Sequence, residues 1–448
     1  MIVAPIKRRM KHLVVLSLFS LAGICAFSQS TPATSPSAGT VAFTNGYWFD
    51  GHSFKRRTGY AVGDMLSFRR PRKVDSTVDL RGGYVVPPFG EAHNHNVEPL
   101  NKVDFLVQRY LEHGIFYVKD PDNLPQGRDQ VLAKINRPDS IDVMFSNGGF
   151  TGYGGHPAEI VKRNIDRGFW TEADGDGAFY YAVSTESELE NKWHDFMATK
   201  PDFVKTYLLF SEEYANRKDD PKYFGWRGMD PALLKVIVEK AHNAGLRVST
   251  HVESAIDFHN ALMAGVDEIN HTPGFRVIGD VKPHALTEFQ LAESDVKLAA
   301  RRAIFVVTTL GDNPEFNGDG TLKNGLNKRD ELNQRNLALL KKYHVKLALG
   351  SDNYRSDTVP EALYIAALHV FSNTELLQIW CAGTAHTIFP KRQLGELKEG
   401  FEASFLVLRE NPIEHFSSVR QISMGVKQGR LLRTANPTTE TRTGSVQH

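Results

Sequence analysis

The sequence predicts an α/β fold: a (β/α)8 TIM barrel with a small β-sandwich domain built from both flanks of the chain. Three observations predict it. Between residues 84 and 393, eight short apolar runs alternate with helical stretches, the pattern of repeated βα units. Residues 41–83 and 394–435 instead carry short strand-like runs cut by Gly, Asn and Asp turns. Polar residues of unusual chemistry follow five of the eight runs, at the strand ends where the loops of such a barrel converge.

The chain begins with Lys7, Arg8, Arg9 and Lys11, followed by the apolar stretch 13–27 and a small-x-small tripeptide, Ala26, Phe27 and Ser28. This is the layout of a secretory signal peptide over residues 1–28, too short for a comfortable membrane span. Export to the periplasm or medium is therefore expected, with no stable membrane insertion after cleavage. Cys25 raises the alternative of a lipid anchor, but Ile24 stands where a lipobox carries a small residue. After cleavage only Cys381 remains, so no intramolecular disulfide is available. Residues 29–40, rich in Ser, Thr, Pro and Ala, read as a disordered leader, and 436–448 as a flexible tail.

The eight runs lie at 84–86, 115–118, 141–145, 203–207, 246–250, 266–269, 304–307 and 346–349. Between them lie amphipathic helices such as 231–244, with Pro231 at its start and Gly245 just past its end. A doubly wound open sheet is the alternative. No Gly-rich phosphate loop follows the first run, and the candidate residues spread over five strands, which favours the closed barrel. Of 448 residues, 41% are hydrophobic and 23% charged, with a formal net charge of +1. That balance gives no electrostatic case for nucleic acid, and it leaves a homo-oligomer open.

The candidate site starts at His93 and His95 in the stretch PPFGEAHNHN. Residues two apart on a strand project to one face, so both imidazoles point the same way, as a metal site requires. Lys205 lies between Phe203-Val204 and Thr206-Tyr207. A lysine inside a barrel is costly unless its charge is removed or paired. His251, His271 and Asp352 follow the fifth, sixth and eighth runs.

This set, HxH, Lys, His, His and Asp, resembles the amidohydrolase superfamily, specifically its binuclear class with a carboxylated lysine, and is most similar to the imidazolonepropionase-like and prolidase-like branch. Three features carry the branch: DFVKTY around Lys205, the 20-residue step from His251 to His271, and LGSD ending at Asp352. The return segment from Thr384 through LGELKEGFEASFLVL is similar too. One departure is GEAHNH, where a more apolar lead-in with Asp is usual.

The resemblance implies that His93, His95 and Asp352 hold one divalent ion, that His251 and His271 hold a second, and that N6-carboxylated Lys205 bridges them. Zn²⁺ suits such a donor set best, although Mn²⁺, Fe²⁺ or Ni²⁺ would also be accepted. Two such ions would activate a bridging water. Asp352 would move its proton, and Tyr207, on the face of Lys205, would look into the site. Long segments after strands three, four and seven, at 147–179, 208–229 and 310–333, are expected to choose the substrate. Within them Tyr153, His156 and Arg227 are candidates for gripping a polar or carboxylate group. The expected activity is hydrolysis of a C–N bond in an amide or dipeptide, including Xaa-Pro. The alternatives are a lactone, ester, phosphotriester or cyclic-amide hydrolase, or a non-catalytic periplasmic metal-binding protein.

Overall fold

The computed structural model describes residues 39–97, 101–275, 280–311, 314–317 and 321–432. The expected signal peptide, nearly all of the leader and the C-terminal tail lie outside them. No described helix is long and apolar enough to cross a membrane.

Two sets of parallel strands form the centre. Phe89–Glu91, Ile115–Asp120 and Asp142–Phe145 pair in that order. Seven more follow in the order Tyr180–Ala182, Gly149–Thr151, Val204–Tyr207, Val248–His251, Glu268–Asn270, Phe305–Val307 and Lys346–Ala348. Main-chain hydrogen bonds run between the two sets at both edges, from Ala92 N–H to the Leu349 carbonyl (2.8 Å) and from Asp202 N–H to the Phe145 carbonyl (2.8 Å). Asn147 and Gly148, both at positive φ, break the chain between Asp142–Phe145 and Gly149–Thr151. The first of these pairs with Ile115–Asp120 and the second with Val204–Tyr207.

The strands are short because only their middles are sealed between helices. Val248, Ile269 and Val306 are fully buried, as expected of parallel strands covered on both faces. The helix Pro231–Asn243 shows how the cover is made. Asp230 accepts the Ala232 N–H at its start, and it buries Leu233, Leu234, Ile237, Val238 and Ala241. Gly245, at φ +75°, turns the chain back towards the next strand.

The sequence assigns residues 84–86 to the first barrel strand, and the structure corrects this. Tyr84–Val86 pairs with Thr40–Phe49 and with Phe405–Leu408, in the flanking sheet. Pro87 and Pro88 supply no N–H and interrupt the ladder, and the first central strand is Phe89–Glu91. The flanking sheet has eight strands drawn from residues 40–86 and 405–431. In Thr40–Phe49 a bulge with Asn45 at φ +55° divides the strand. The half before it pairs with Ser76–Asp79 and the half after it with Tyr84–Val86.

One continuous hydrophobic cluster joins this sheet to the central strands. Phe43 packs edge-on against Phe405 at 4.9 Å, and Phe89 stacks on Trp380 at 3.8 Å. The Trp380 indole donates to the Gly90 carbonyl at 3.0 Å. Lys427 crosses the same boundary with its side chain fully buried, donating to Asp142 (2.6 Å), the Arg137 carbonyl (2.8 Å) and the Ser140 carbonyl (2.7 Å). Removing one member of a buried ion pair costs about 3–5 kcal/mol. Arg392 still holds Asp142 at 2.8 Å, so Lys427→Met is expected near the lower end, about 3 kcal/mol, read as a lower urea midpoint at an unchanged slope.

Candidate metal centre

The ligand candidates sit at the C-terminal ends of the central strands, where backbone turns aim them inward. His93 and His95 follow Phe89–Glu91, and His251 closes Val248–His251. His271 follows Glu268–Asn270 at φ +75°, and Asp352 follows Lys346–Ala348 at φ +45°. The His93 carbonyl accepts the N–H groups of Ser351 (3.1 Å) and Asp352 (2.8 Å). The first and last strand ends are thereby locked together beneath the site.

One tight pocket gathers His93, His95, Asp122, His156, Lys205, Tyr207, His251, His271, Asp352 and Tyr354, with about 20 Å³ of free space. That is room for about one water. Larger cavities lie elsewhere, one of about 210 Å³ at the N-terminal strand ends beside Lys119 and Phe203. It contains none of these histidines.

His93 Nε2 and His95 Nε2 face each other at 3.2 Å. Asp352 Oδ1 lies 3.2 Å from His95 Nε2 and 3.9 Å from His93 Nε2. A tetrahedral ion bonded at about 2.0–2.2 Å keeps its ligand atoms roughly 3.4 Å apart, so these spacings fit a divalent metal. His93, His271 and Asp352 also offer ligand atoms within 4.8 Å of one another. His93 Nδ1 is buried with no hydrogen-bond partner among the described residues. Burial first, then the positive charges of Lys205 and His271, hold the His93 pKa well below its ordinary value, keeping a lone pair free. For His95 burial acts in the same sense, but the hydrogen bond and charge of Asp352, with Asp122, outweigh it and raise the pKa.

The outer contacts fix the rings. His95 Nδ1 is 2.7 Å from the Pro121 carbonyl, a contact that requires the proton on Nδ1 and turns Nε2 inward. His271 Nδ1 lies 2.7 Å from Thr309 Oγ1, and its ring stacks on Phe275 at 4.0 Å. The His251 ring lies 4.4 Å from that of His271.

Lys205 is buried, and its Nζ donates to Asn270 Oδ1 at 2.6 Å. Burial lowers its pKa to about 8 against the pull of Asp122, Asp352 and Glu268. Behind it a polar chain crosses the interior. Asn270 donates to Glu268 (3.0 Å), Ser249 to both Glu268 (2.7 Å) and Asn270 (2.8 Å), and Lys119 to Glu268 (2.7 Å). Burial of Glu268 opposes its charge, but Lys119 and Arg247 outweigh it and draw the pKa down to about 2.

Of the substrate-gripping candidates, only His156 reaches the pocket. Its Nδ1 pairs with Glu159 at 2.5 Å, and its ring lies 5.1 Å from His251 and 5.3 Å from Tyr207. The hydroxyl of Tyr153 instead points to Glu188 at 3.2 Å. Arg227 spends its guanidinium on the carbonyls of Tyr153 (2.9 Å), Arg217 (2.8 Å) and Asp220 (3.1 Å). Both therefore brace loops. Tyr207 lines the pocket, its pKa well above the ordinary value through burial and then Asp122.

Sequence reasoning missed Glu91, Lys119, Glu268, Asn270 and Asp122. Glu91 accepts the Ser351 N–H (2.8 Å), the Ser351 hydroxyl (2.7 Å) and the His93 N–H (3.2 Å). Burial lifts its pKa to about 8 despite these bonds. A signal was available for Glu91 and Lys119: each is a charge set in an apolar strand, the feature that singled out Lys205.

Comparison with known proteins follows the same line. The model of the amidohydrolase family matches residues 181–432. Ochratoxinase from Aspergillus niger is 26% identical over 234 residues, which is 50% of this chain and 45% of that protein. The chain thus spans about half the length of the curated relatives it matches. The crystal structure of A. niger ochratoxinase superposes with a TM-score of 0.64 at 19% identity, covering 88% of this chain and 96% of that one. A prolidase complexed with N-methylphosphonate-L-proline gives 0.64 at 17% identity, covering 88% and 100%. Molinate hydrolase gives 0.68 at 14%, covering 92% and 100%. These structural likenesses concern the fold.

The interior ion pair sets an acid limit on stability. The pKa of folded Glu268, about 2, lies below its ordinary 4.5, so its contribution is complete above about pH 4.5 and drains away as the pH falls through about 2. Glu268→Gln leaves Lys119 buried without a counter-charge, a loss of about 3–5 kcal/mol. The gap in urea midpoint between wild type and this variant is expected to be wide at pH 6 and to narrow steadily below pH 4.5.

Proposed function

The chain belongs to the amidohydrolase family, and on that premise we propose that it is an exported, metal-dependent hydrolase of a C–N bond in an amide or dipeptide, with prolidase-like Xaa-Pro substrates the most specific reading. One observation carries the proposal: His93, His95, Lys205, His251, His271 and Asp352 converge from five strand ends on one water-sized pocket. The hydrogen bonds at both edges of the central strands support a closed barrel around it.

In this reading His93, His95 and Asp352 would hold one divalent ion and His251 and His271 a second, and Lys205, once carboxylated by CO2, would supply an anionic ligand to both. Zn²⁺ is the best match to the nitrogen-rich donor set. When bound, the two ions supply an acidified water and polarise the scissile carbonyl.

The protein's own groups do the rest. Asp352 takes the proton from the attacking water and returns it to the leaving nitrogen. Asn270, held by Glu268 and Ser249, accepts from Lys205 Nζ and keeps that side chain aimed at the pocket. His156, oriented by Glu159, lies beside His251 to steady the substrate's polar end. Tyr207 stays a neutral donor because its pKa is high. Tyr354, half exposed and stacked 5.4 Å from His95, stands at the mouth.

The test is elemental analysis of the purified mature protein alongside hydrolysis of a dipeptide library. Close to two metals per chain and cleavage of a peptide bond are expected. Asp352→Asn should retain much of the metal while turnover falls by about 10²–10⁴, the usual worth of a proton-transferring group. Lys205→Ala should lose metal. Unchanged turnover in Asp352→Asn, or two tightly bound metals in Lys205→Ala, would overturn the mechanism.

A further inference from the structure

Asp122 is a buried carboxylate in the pocket that the proposed chemistry leaves without a task. It follows the strand Ile115–Asp120 at φ +61°, held there by its N–H donating to Ser146 Oγ at 2.8 Å. Its side chain lines the pocket, and Oδ1 is buried with no hydrogen-bond partner among the described residues. Such an atom in a native interior calls for an explanation.

Lys205 is the positive charge near it, and Asp122 is the carboxylate that acts on that lysine most strongly. Asp122 Oδ2 lies 4.0 Å from His95 Nδ1, but that nitrogen is already engaged with the Pro121 carbonyl at 2.7 Å. The Lys205 ammonium donates to Asn270 Oδ1, and in the reading above it becomes an anion. Tyr207 lies beside Asp122, and a phenol can satisfy a lone pair but not a charge. Gly149 is where these groups meet. A Cβ there would lie 2.8 Å from Asp122 Oδ1, 2.8 Å from Tyr207 Cε2 and 3.0 Å from Lys205 Cγ. The missing side chain lets Asp122, Tyr207 and Lys205 close on this point.

A metal is a poor partner for Asp122, which stands on the Nδ1 side of the His95 ring, 4.0 Å from that nitrogen and on the edge away from Nε2. A primary ammonium fits better, since it brings one positive charge and three donors. Asp122 Oδ2 lies 4.0 Å from His95 Nδ1, across the imidazole from the inward-facing nitrogen, and an α-amine extends from the scissile carbonyl carbon through a single carbon.

We propose that Asp122 is a specificity residue that receives the free α-ammonium group on the acyl side of the substrate, so that dipeptides with an unblocked N-terminus are preferred over N-acylated amides. The proposal rests on the dipeptide reading of the same pocket.

Alanyl-proline, its N-acetyl derivative and propionyl-proline, which has the same acyl skeleton without the amine, separate the possibilities on the metal-replete wild-type enzyme. Alanyl-proline should be preferred, chiefly through KM. In Asp122→Asn, at matched metal content, the ratio of kcat/KM for alanyl-proline over propionyl-proline should fall by about 10- to 100-fold, the worth of one charged hydrogen-bonded contact. Wild type that cleaves both equally well, or an unchanged ratio in Asp122→Asn, would overturn the assignment while leaving the hydrolase intact. The wild-type comparison decides the matter even if the variant fails to fold. Turnover of none of the three by enzyme holding two metals would remove the dipeptide reading, and this inference with it.

Discussion

A charge taken out of water must find its opposite or lose its proton, and the interior of this protein is arranged around that requirement. Lys119 meets Glu268 at 2.7 Å. Lys427 meets Asp142 and two carbonyls. Arg217 is clamped between Glu213 and Asp280 at 2.9 and 2.7 Å. Lys205 differs in that its hydrogen-bond partner is the neutral amide of Asn270. Burial lowers the pKa of all three lysines, and that of Lys205 falls to about 8. A neutral amine is the form that reacts with CO2, so a lysine without a direct carboxylate partner is the one that the proposed carboxylation would use. Glu268 contributes to this indirectly, since Lys119 occupies one of its oxygens and Asn270 and Ser249 the other.

The same region stores backbone strain. Asp122, His271, Thr309 and Asp352 all have positive φ, at +61°, +75°, +84° and +45°, and for a β-branched threonine this is a true outlier. Each such residue costs about 1–3 kcal/mol and survives only where surrounding bonds over-determine it. Those bonds are present. The His93 carbonyl accepts two N–H groups from the Asp352 turn. The buried carboxylate of Glu361 takes the N–H groups of Thr309 and Leu310 at 2.8 and 2.9 Å. Thr309 then presents its hydroxyl to His271 Nδ1. The helices that seal the strands thus hold the strand ends in conformations that a free chain would leave.

Much of this was legible in the sequence because strand periodicity reports which side chains share a face. His93 with His95, and Lys205 with Tyr207, are read that way, and all four line the pocket. What periodicity does not report is the partner across the sheet. Lys119 and Lys205 look alike as lysines in apolar runs, and only the contact with Glu268, 149 positions away, separates their roles. Glu91 was hidden for the same reason, since its partner Ser351 is 260 positions distant. Tyr153 and Arg227 mislead in the opposite direction. Loop residues with suitable chemistry are often consumed in bracing the loop, and Arg227 does so through three carbonyls. The misplaced strand at 84–86 has a local cause, since two prolines close one ladder before Phe89 opens the next.

In the proposed reading, the electrostatic consequence of a carbamate would extend past the metals. Turning Lys205 from cation to anion would remove two units of positive charge from a space that already holds Asp122, Asp352 and Glu268. Two divalent ions would restore four, with Asp352 among the groups that would hold them. Asp122 lines the pocket from the Nδ1 side of His95, 4.0 Å from that nitrogen. His156, whose carboxylate partner Glu159 is fixed at 2.5 Å, lies beside His251 and Tyr207. Under the proposed dipeptide reading, a substrate entering past Tyr354 would meet the Asp122 carboxyl and the His156 ring within one pocket. A free dipeptide is the amide that would bring an ammonium to such a carboxyl, which is why the amine-free analogue is the informative comparison.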